Sequence, residues 1–501
     1  MNISSMLLNS ANLYPDKVCI RFKKEAFTYS DIRDKAKAMA AGLAGLCYSE
    51  KCRTGILLSN RPEFVISFFA IALCSGISFL FDVNYTVHEL KQIITDCQVN
   101  IIVTTSSKLQ DIQKIKEETG IPEYIILVDS EDKKETLCYN RLLVHGEGSN
   151  DWGKDIEENS ISVSEENATC QYTSGVSGYP KIIFRNHNNL YQEVKNFTER
   201  IKYSPEDNVL CIPPLNHAYA LMVGLVSPIY SGSEITLCEK FIPGTVLKRI
   251  KESRITTFVG VPFQYDLLCE TFLDSTPDIS SIRAALSAGA PLSKNVREKF
   301  WQRFKVNINQ LYGLTETGAL AVNLTEHAPQ SVGKPLPNVE ILIFDDDHKE
   351  LPHDHEGEIA VKSLSAANEY FRQPSLSSKA FNEGLFFTGD IGKKDEEGNL
   401  FIIGKKKNII NVAGKKVDPV EIEDILMAHP AVKEAVVVGA KGESTGEIIK
   451  AVLVVNEKII PEEIQKFCRI KLASYKIPTI VEVTEQLPRS TTGKILRKYF
   501  L

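Results

Sequence analysis

The sequence lacks the charge balance and the cysteine spacing of several specialised protein classes. It has 58 Lys and Arg against 64 Asp and Glu, a formal net charge of -6, whereas nucleic-acid-binding domains usually carry a basic stripe. None of the 11 cysteines stands at CxxC spacing to another. We therefore expect neither a zinc site nor a disulfide framework, but a reducing, cytoplasmic environment. No basic segment precedes the first apolar residues, so no secretory signal is expected.

Long apolar runs are also scarce, and only Phe64–Phe81 approaches the length of a membrane span. Ser75 and Gly76 interrupt this run, and aromatic and β-branched residues dominate its second half. Buried elements of α/β proteins also read as continuous apolar sequence. The run therefore predicts a buried helix, a glycine turn and a buried strand, with no membrane span.

Strand-like and helix-like segments alternate along most of the sequence, which is typical of α/β layers. At 501 residues the chain should form at least two domains. The polar segment Asn140–Glu166 predicts a surface connection, and residues 388–416 predict a break before a small α+β unit. Helices are predicted within Ala26–Leu46, after a short strand and an N-cap at Thr28 or Ser30, and at Pro419–His429 and Pro461–Leu472. The predicted strands are Thr54–Leu58, Ile101–Thr104, Tyr124–Val128, Val209–Ile212, Glu234–Leu237, Thr256–Val259, Arg283–Ser287, Val432–Gly439 and Ile449–Val455.

Two short motifs contain residue types suited to ATP. Tyr172–Lys181 combines hydroxyl side chains, two glycines that permit close backbone approach, and a lysine suited to phosphate oxygens. A flexible Ser/Gly loop is the alternative, and no GxxxxGK[ST] loop occurs in the chain. Tyr312–Thr317 offers an aromatic ring for a base and Glu316 as a hard oxygen ligand for magnesium; a strand-end turn is the alternative.

Two further motifs lie towards the C-terminus. Phe387–Asp390 places a carboxylate after a glycine turn, where it can accept ribose hydroxyls, although a simple Asp turn has the same sequence pattern. Pro488–Arg497 contains Lys494 after a glycine, and this lysine can bring positive charge to a reacting phosphate. An ordinary basic tail is the alternative there.

Together and in this order, the four motifs, with residues 404–407 and 414–423, resemble the acyl-adenylate-forming (AMP-binding) superfamily. That superfamily includes acyl-CoA synthetases, adenylation domains of peptide synthetases and beetle luciferases. The resemblance extends from about Tyr29 to Arg497. It implies an α/β fold with a large N-terminal domain of layered sheets, residues 1–403. A small, mobile C-terminal α+β domain, residues 404–501, would carry the catalytic lysine.

The resemblance also implies roles for individual residues. The implied catalytic residues are Lys494, Glu316, Thr173 and His217, and Glu316 would also bind Mg²⁺. The implied ATP and AMP contacts are Thr173, Ser174, Gly175, Ser177, Gly178, Lys181, Gly289, Ala290, Pro291, Tyr312, Gly313, Thr315, Asp390 and Lys405. The implied acyl pocket comprises His217, Ala218, Gly260, Val261, Ser287, Leu314 and Gly318. Gly414 and Lys415 would face the thiol donor, and Lys407 would be the hinge.

Three positions depart from the family pattern. Val176 replaces a hydroxyl residue of the phosphate loop, and Ile182 replaces the glycine that commonly follows the loop lysine. Lys405 stands where the family usually has Arg, and a lysine cannot reproduce the fork geometry of a guanidinium. These departures bear on efficiency more than on identity, because the metal-binding, ribose-binding and catalytic residues are all present.

The resemblance implies ATP-dependent activation of a carboxylic acid to an acyl-adenylate, with pyrophosphate release, followed by thioester formation with coenzyme A. Ala218 stands where amino-acid-activating relatives carry Asp, and a buried ammonium without a partner is costly, so an α-amino acid is disfavoured. Aryl and fatty acids both remain open. One alternative is a stand-alone adenylation enzyme that loads the phosphopantetheine of a separate carrier protein; another is a nucleotide- or acyl-binding module with decayed catalysis. No nucleic-acid partner is expected.

Overall fold

The computed structural model describes residues 2–47, 51–131, 135–147, 165–173, 181–272, 277–325, 327–406, 408–412, 415–441, 447–490 and 495–500. The α-helices are α1 Ile3–Leu13, α2 Tyr29–Leu46, α3 Pro62–Leu73, α4 Val87–Asp96, α5 Leu109–Thr119, α6 Tyr139–Glu147, α7 His187–Ile201, α8 Ala218–Leu221, α9 Ser227–Tyr230, α10 Pro243–Glu252, α11 Pro262–Glu270, α12 Lys294–Phe304, α13 Pro374–Ala380, α14 Pro419–Met427 and α15 Pro461–Lys471. A π-helical turn, Met222–Val226, joins α8 to α9.

The strands are β1 Val18–Phe22, β2 Glu25–Thr28, β3 Arg53–Ile56, β4 Ile77–Leu80, β5 Ile101–Thr104, β6 Tyr124–Leu127, β7 Leu137–Cys138, β8 Asn167–Thr173, β9 Lys181–Asn186, β10 Asn208–Cys211, β11 Glu234–Leu237, β12 Thr257–Gly260, β13 Ala284–Ser287, β14 Ile308–Leu314, β15 Gly318–Val322, β16 Lys334–Pro335, β17 Glu340–Phe344, β18 Gly357–Lys362, β19 Phe381–Asn382, β20 Leu385–Lys394, β21 Leu400–Lys405, β22 Ile410–Val412, β23 Lys415–Val417, β24 Val432–Lys441, β25 Glu447–Val455 and β26 Ile480–Val483.

Two large sheets and a helical layer between them form the main body. One sheet has nine strands in the order β16-β15-β14-β13-β12-β10-β11-β1-β2, and the other has seven in the order β7-β6-β5-β3-β4-β8-β9. Residues Phe64 to Leu73 of α3 are all buried, and this helix shares one hydrophobic cluster with Ile56 of the seven-stranded sheet and Val209 of the nine-stranded sheet. A helix that is apolar on every side is stable only when it is covered on every side, which explains the apolar run.

A third sheet and a small C-terminal unit complete the fold. Strands β17, β18, β20 and β19 pair in that order, and β21 pairs with β20. The C-terminal unit contains the sheet β24-β25-β26 and the hairpin β22-β23, and α14 and α15 pack in its own core with Leu426 and Ile464. The Arg489 guanidinium lies 5.0 Å from the ring centroid of Phe263 on α11, which joins this unit to the main body.

Most predicted elements are confirmed, including the Thr28 cap of α2, whose side chain accepts a hydrogen bond from Asp31. Two predictions are wrong. The start of the presumed surface connection is helical, because α6 packs on α2 through Leu142 and Leu143. The break predicted at residues 388–416 starts too early, because residues 388–405 still belong to the β20–β21 hairpin of the third sheet.

The cysteine pattern also misled in one respect, because Cys47 and Cys52 form a disulfide. A single short-range bridge is not a framework, yet it was not expected from the spacing. None of the helices formed by described residues combines the length and the apolarity that a bilayer-spanning helix requires.

Candidate active site

The candidate site lies where the carboxyl ends of parallel strands meet. Strands β10, β12, β13 and β14 are parallel neighbours, so the segments that follow them emerge at one edge of the nine-stranded sheet. Those segments contain His217, Val261, Gly289 and Glu316. These residues are up to about a hundred positions apart in the sequence, and the sheet brings them to one edge.

The phosphate-loop motif is anchored by a hairpin of the other large sheet. β8 and β9 are antiparallel, and Thr173 at the end of β8 pairs with Lys181 at the start of β9. The loop between them, including the predicted residues Ser174, Gly175, Ser177 and Gly178, lies outside the described residues, as does the side chain of Thr173. The strand pairing therefore positions both ends of this loop.

Lys181 and Glu316 meet through a residue that the sequence analysis did not single out. The Tyr370 hydroxyl accepts a hydrogen bond from Lys181 Nζ at 3.1 Å and donates one to Glu316 Oε1 at 2.9 Å. Burial lowers the pKa of Lys181, with Glu316 acting in the opposite direction and Lys405 in the same one. The two sequence motifs thus share one polar cluster.

The segment that carries Tyr370 is held between these motifs by backbone contacts. The Ala367 N–H donates to the Glu316 carbonyl at 2.7 Å, and the Phe371 N–H donates to the Ile182 carbonyl at 2.9 Å. Tyr370 itself forms a β-bridge with Ile183. Nothing local in the sequence indicates this pairing, which depends on long-range contacts.

Asp390 forms a second polar cluster with Tyr312 and Lys405. Tyr312 donates from its hydroxyl to Asp390 Oδ2 at 2.7 Å, and Lys405 Nζ lies 2.5 Å from Oδ1. Burial, and then the Asp390 charge, raises the pKa of Tyr312 well above its usual value. The predicted turn around Asp390 is wrong: the residue lies within β20, where Gly389 takes φ +70°, so the left-handed glycine distorts a strand.

A buried ion pair lies beneath the β14–β15 hairpin, whose turn contains Glu316. Arg185 Nη2 is 2.7 Å from Glu193 Oε2, with side-chain exposures of 2% and 1%, and Glu193 Oε1 accepts a hydrogen bond from the Ala319 N–H at 2.9 Å. A Cβ on Gly318 would lie 2.2 Å from the Glu193 carboxyl group. The side-chain direction of Gly318 thus faces Glu193, although the resemblance implies that this residue lines the acyl pocket.

In the segment that follows β10, His217 faces the carboxylate of Asp82. His217 Nε2 is 3.9 Å from Asp82 Oδ2, too far for a hydrogen bond, and the nitrogen has no hydrogen-bond partner among the described residues. Burial lowers the pKa of His217, against the opposing effect of Asp82. The loop before His217 is held by Asn60, whose side chain accepts from the Leu215 N–H at 2.8 Å.

The other predicted acyl-pocket and adenine residues lie at the same strand ends with differing exposure. Gly289, Pro291 and Gly313 are exposed, and Ala290, Leu314 and Thr315 are half-buried. The predicted acyl-pocket residues that are buried are Ala218, Gly260, Val261, Ser287 and Gly318. Four further predictions cannot be placed: Lys494, Gly414 and Lys407 lie outside the described residues, and only the backbone of Lys415, in β23, is described.

Comparison with known proteins shows the family of the chain. Residues 7–371 match the model of the AMP-binding enzyme family, and residues 421–494 match that of the AMP-binding enzyme C-terminal domain. The chain is 31% identical to a long-chain-fatty-acid–CoA ligase of Bacillus subtilis (strain 168), covering 100% of this chain and 94% of that protein. It is also 31% identical to a 2-succinylbenzoate–CoA ligase of Bacillus velezensis, covering 98% and 96%.

A solved structure supports the fold. The anthranilate CoA ligase AuaEII in complex with anthranoyl-AMP superposes with a TM-score of 0.92 at 24% identity, covering 100% of this chain and 96% of that one. The fold and the matched relatives define an enzyme of the AMP-forming acid–thiol ligase class. The chain belongs to the AMP-binding enzyme family.

Proposed function

We propose that this enzyme activates an aryl or fatty acid with ATP, releases pyrophosphate, and transfers the acyl group from the acyl-adenylate to coenzyme A. The observation that carries the proposal is that motifs distant in the sequence meet in two clusters: Lys181 and Glu316 share the Tyr370 hydroxyl, and Asp390 contacts Tyr312 and Lys405. Relatives that match the chain over nearly its whole length are acyl- and aryl-CoA ligases, which supports coenzyme A as the acceptor.

The chemistry requires cationic groups because both reactants are anions. A carboxylate is a poor electrophile, and attack on the α-phosphate of ATP converts it to a mixed anhydride with AMP as the leaving group. Lys181 would hold the phosphates, Thr315 the α-phosphate and Asp390 the ribose. In the proposal Lys494, brought in by the C-terminal domain, bridges the carboxylate and the α-phosphate, and a cleft closed to water strengthens each of these contacts.

The residues present fit a magnesium ion. Glu316 offers one carboxylate beside the phosphate-loop lysine, and Mg²⁺ is usually held by one or two carboxylates together with substrate phosphates. When bound, the ion would neutralise charge on the phosphate oxygens. Glu316 is 7% exposed, so the carboxylate is preformed in a site with little competing water.

Two tyrosines and a π-helical turn pack on the side of the site where the resemblance implies the acyl pocket. Tyr219 donates from its hydroxyl to the Leu286 carbonyl at 3.0 Å, and the fully buried Tyr265 donates to the same carbonyl at 2.7 Å. A Cβ on Gly224 would lie 2.4 Å from Cys211 Sγ, so the π-helical turn packs directly on the sheet. These contacts hold α8, α11 and the π-helical turn against β10 and β13, on the side of the site where the resemblance implies the acyl pocket.

Pyrophosphate release from Mg-ATP across a panel of aryl, fatty and amino acids, with and without coenzyme A, tests the proposal. Repeated turnover that needs coenzyme A, with an aryl or a fatty acid as the best substrate, is expected. Slow release that coenzyme A does not accelerate would favour a carrier-protein phosphopantetheine as the acceptor. No release with any acid would contradict the proposal and favour a binding module. The expected cytoplasmic location remains a prediction.

A further inference from the structure

Tyr370 occupies the space between the two groups that the proposed function assigns to phosphate and metal. Its hydroxyl is within hydrogen-bond distance of both Lys181 Nζ, at 3.1 Å, and Glu316 Oε1, at 2.9 Å. The Lys181 ammonium also lies 4.3 Å from the centroid of the Tyr370 ring. Among the described residues, the lysine and the glutamate meet only through this hydroxyl and form no direct ion pair.

We propose that Tyr370 is a positioning residue whose hydroxyl keeps Lys181 and Glu316 apart, and so keeps both available for Mg-ATP. This inference rests on the proposed function. An ammonium and a carboxylate in a poorly hydrated cleft attract each other strongly. In direct contact each would neutralise the other, and an incoming nucleotide and its metal would first have to separate them.

A phenol suits this position because it can satisfy both neighbours at once. Its single O–H donates to the carboxylate, while its oxygen accepts from the ammonium. A phenol keeps its proton at neutral pH. Arriving phosphates and metal can replace these contacts one at a time.

The backbone fixes where the hydroxyl lies. The Tyr370 N–H donates to Ser377 Oγ at 2.9 Å, and the Phe371 N–H next to it pairs with β9 through the Ile182 carbonyl. The ring also packs edge-on against Phe381 at 5.4 Å. Removal of the hydroxyl alone, in Tyr370→Phe, therefore leaves the ring and its segment in place.

The test compares Tyr370→Phe with Tyr29→Phe, a matched loss of a buried hydroxyl that donates to the Ser233 carbonyl at 2.7 Å far from the cleft. Tyr370→Phe should raise the KM for Mg-ATP roughly tenfold to a hundredfold, because two contacts to charged groups are lost. The KM for the acid should stay unchanged, and Tyr29→Phe should change neither. Equilibrium dialysis of ATP with and without Mg²⁺ gives a readout independent of turnover, and should show the larger loss when Mg²⁺ is present.

A double-mutant cycle with Lys181→Met isolates the mechanism. If the hydroxyl acts by separating Lys181 from Glu316, Tyr370→Phe should have little further effect once the lysine is gone. Additive losses would overturn the inference, as would unchanged Mg-ATP binding in Tyr370→Phe or an equal rise in both KM values. If the wild-type enzyme releases no pyrophosphate with any acid, the proposed function fails, whereas the dialysis comparison still decides the role of Tyr370.

Discussion

Gly318→Ala probes how the buried Arg185–Glu193 ion pair supports the β14–β15 hairpin, whose turn contains Glu316. Gly318 has φ +72° and, at its Cβ position, the Glu193 carboxyl group 2.2 Å away. An alanine there must displace Glu193 from the Ala319 N–H and from Arg185. Because β15 follows Glu316 directly, the same displacement should move the Glu316 carboxylate.

The expected loss combines two independent contributions. A left-handed backbone costs an L-residue about 1–2 kcal/mol. Disrupting a buried ion pair costs about 3–5 kcal/mol when one charge is left without its partner. Gly398 has φ +82° and nothing within 4 Å of its Cβ position, so Gly398→Ala should incur the first contribution alone.

Urea denaturation followed by circular dichroism, with both variants side by side, measures the difference. Gly318→Ala should lose about 3–5 kcal/mol more free energy of unfolding than Gly398→Ala, and it should also raise the KM for Mg-ATP. Equal losses in the two variants would show that Glu193 does not occupy the space, and the proposed support of Glu316 would then be wrong.

Three further predictions use the same protein. Burial lowers the pKa of His187 to about 4. As the pH falls, the unfolded chain therefore binds a proton at this histidine before the folded chain does. The free energy of unfolding should keep its full value above pH 6.5 and fall by up to about 3 kcal/mol between pH 6.5 and 4. His187→Gln should remove that slope from urea midpoints measured against pH. Lys494→Ala should abolish acyl-adenylate formation yet retain thioester formation from a supplied acyl-adenylate, and equal loss of both steps would contradict the assigned role. His217→Ala should raise the KM for the acid roughly tenfold with the KM for Mg-ATP unchanged. A parallel rise in both KM values would contradict the assignment of His217 to the acyl pocket.

Strand and helix positions were predictable where local sequence and burial agree. Ile101–Thr104 and Glu234–Leu237 form strands at the predicted bounds, because both are short, largely buried segments rich in β-branched residues. α6 was missed because its first residues are polar, and its stability comes from Leu142 and Leu143 packing on α2. Tertiary contact overrides composition in that segment.

The candidate site was predictable motif by motif but not in its connections. Each motif contains its own functional side chain, so Lys181, Glu316 and Asp390 could be named from the sequence. Tyr370 could not, because it reaches the cluster through a bridge to Ile183, far away along the chain. The Asp390 turn was misread for a related reason: a glycine with positive φ distorts a strand as readily as it forms a loop.

Asp390, the proposed ribose contact, is linked through Lys405 to the strand that leads to Lys407, the proposed hinge. Asp390 pairs with Lys405 across the β20–β21 ladder, and the next residue, Lys406, donates its N–H to the Gly389 carbonyl and its ammonium to Glu358. A ribose that binds Asp390 competes with Lys405 for the same carboxylate, two residues before Lys407. If Asp390 binds the ribose as proposed, nucleotide occupancy should change the contacts of the strand that leads to the proposed hinge. A lysine at position 405 makes one contact where an arginine fork makes two, so releasing it from Asp390 should cost less than releasing an arginine.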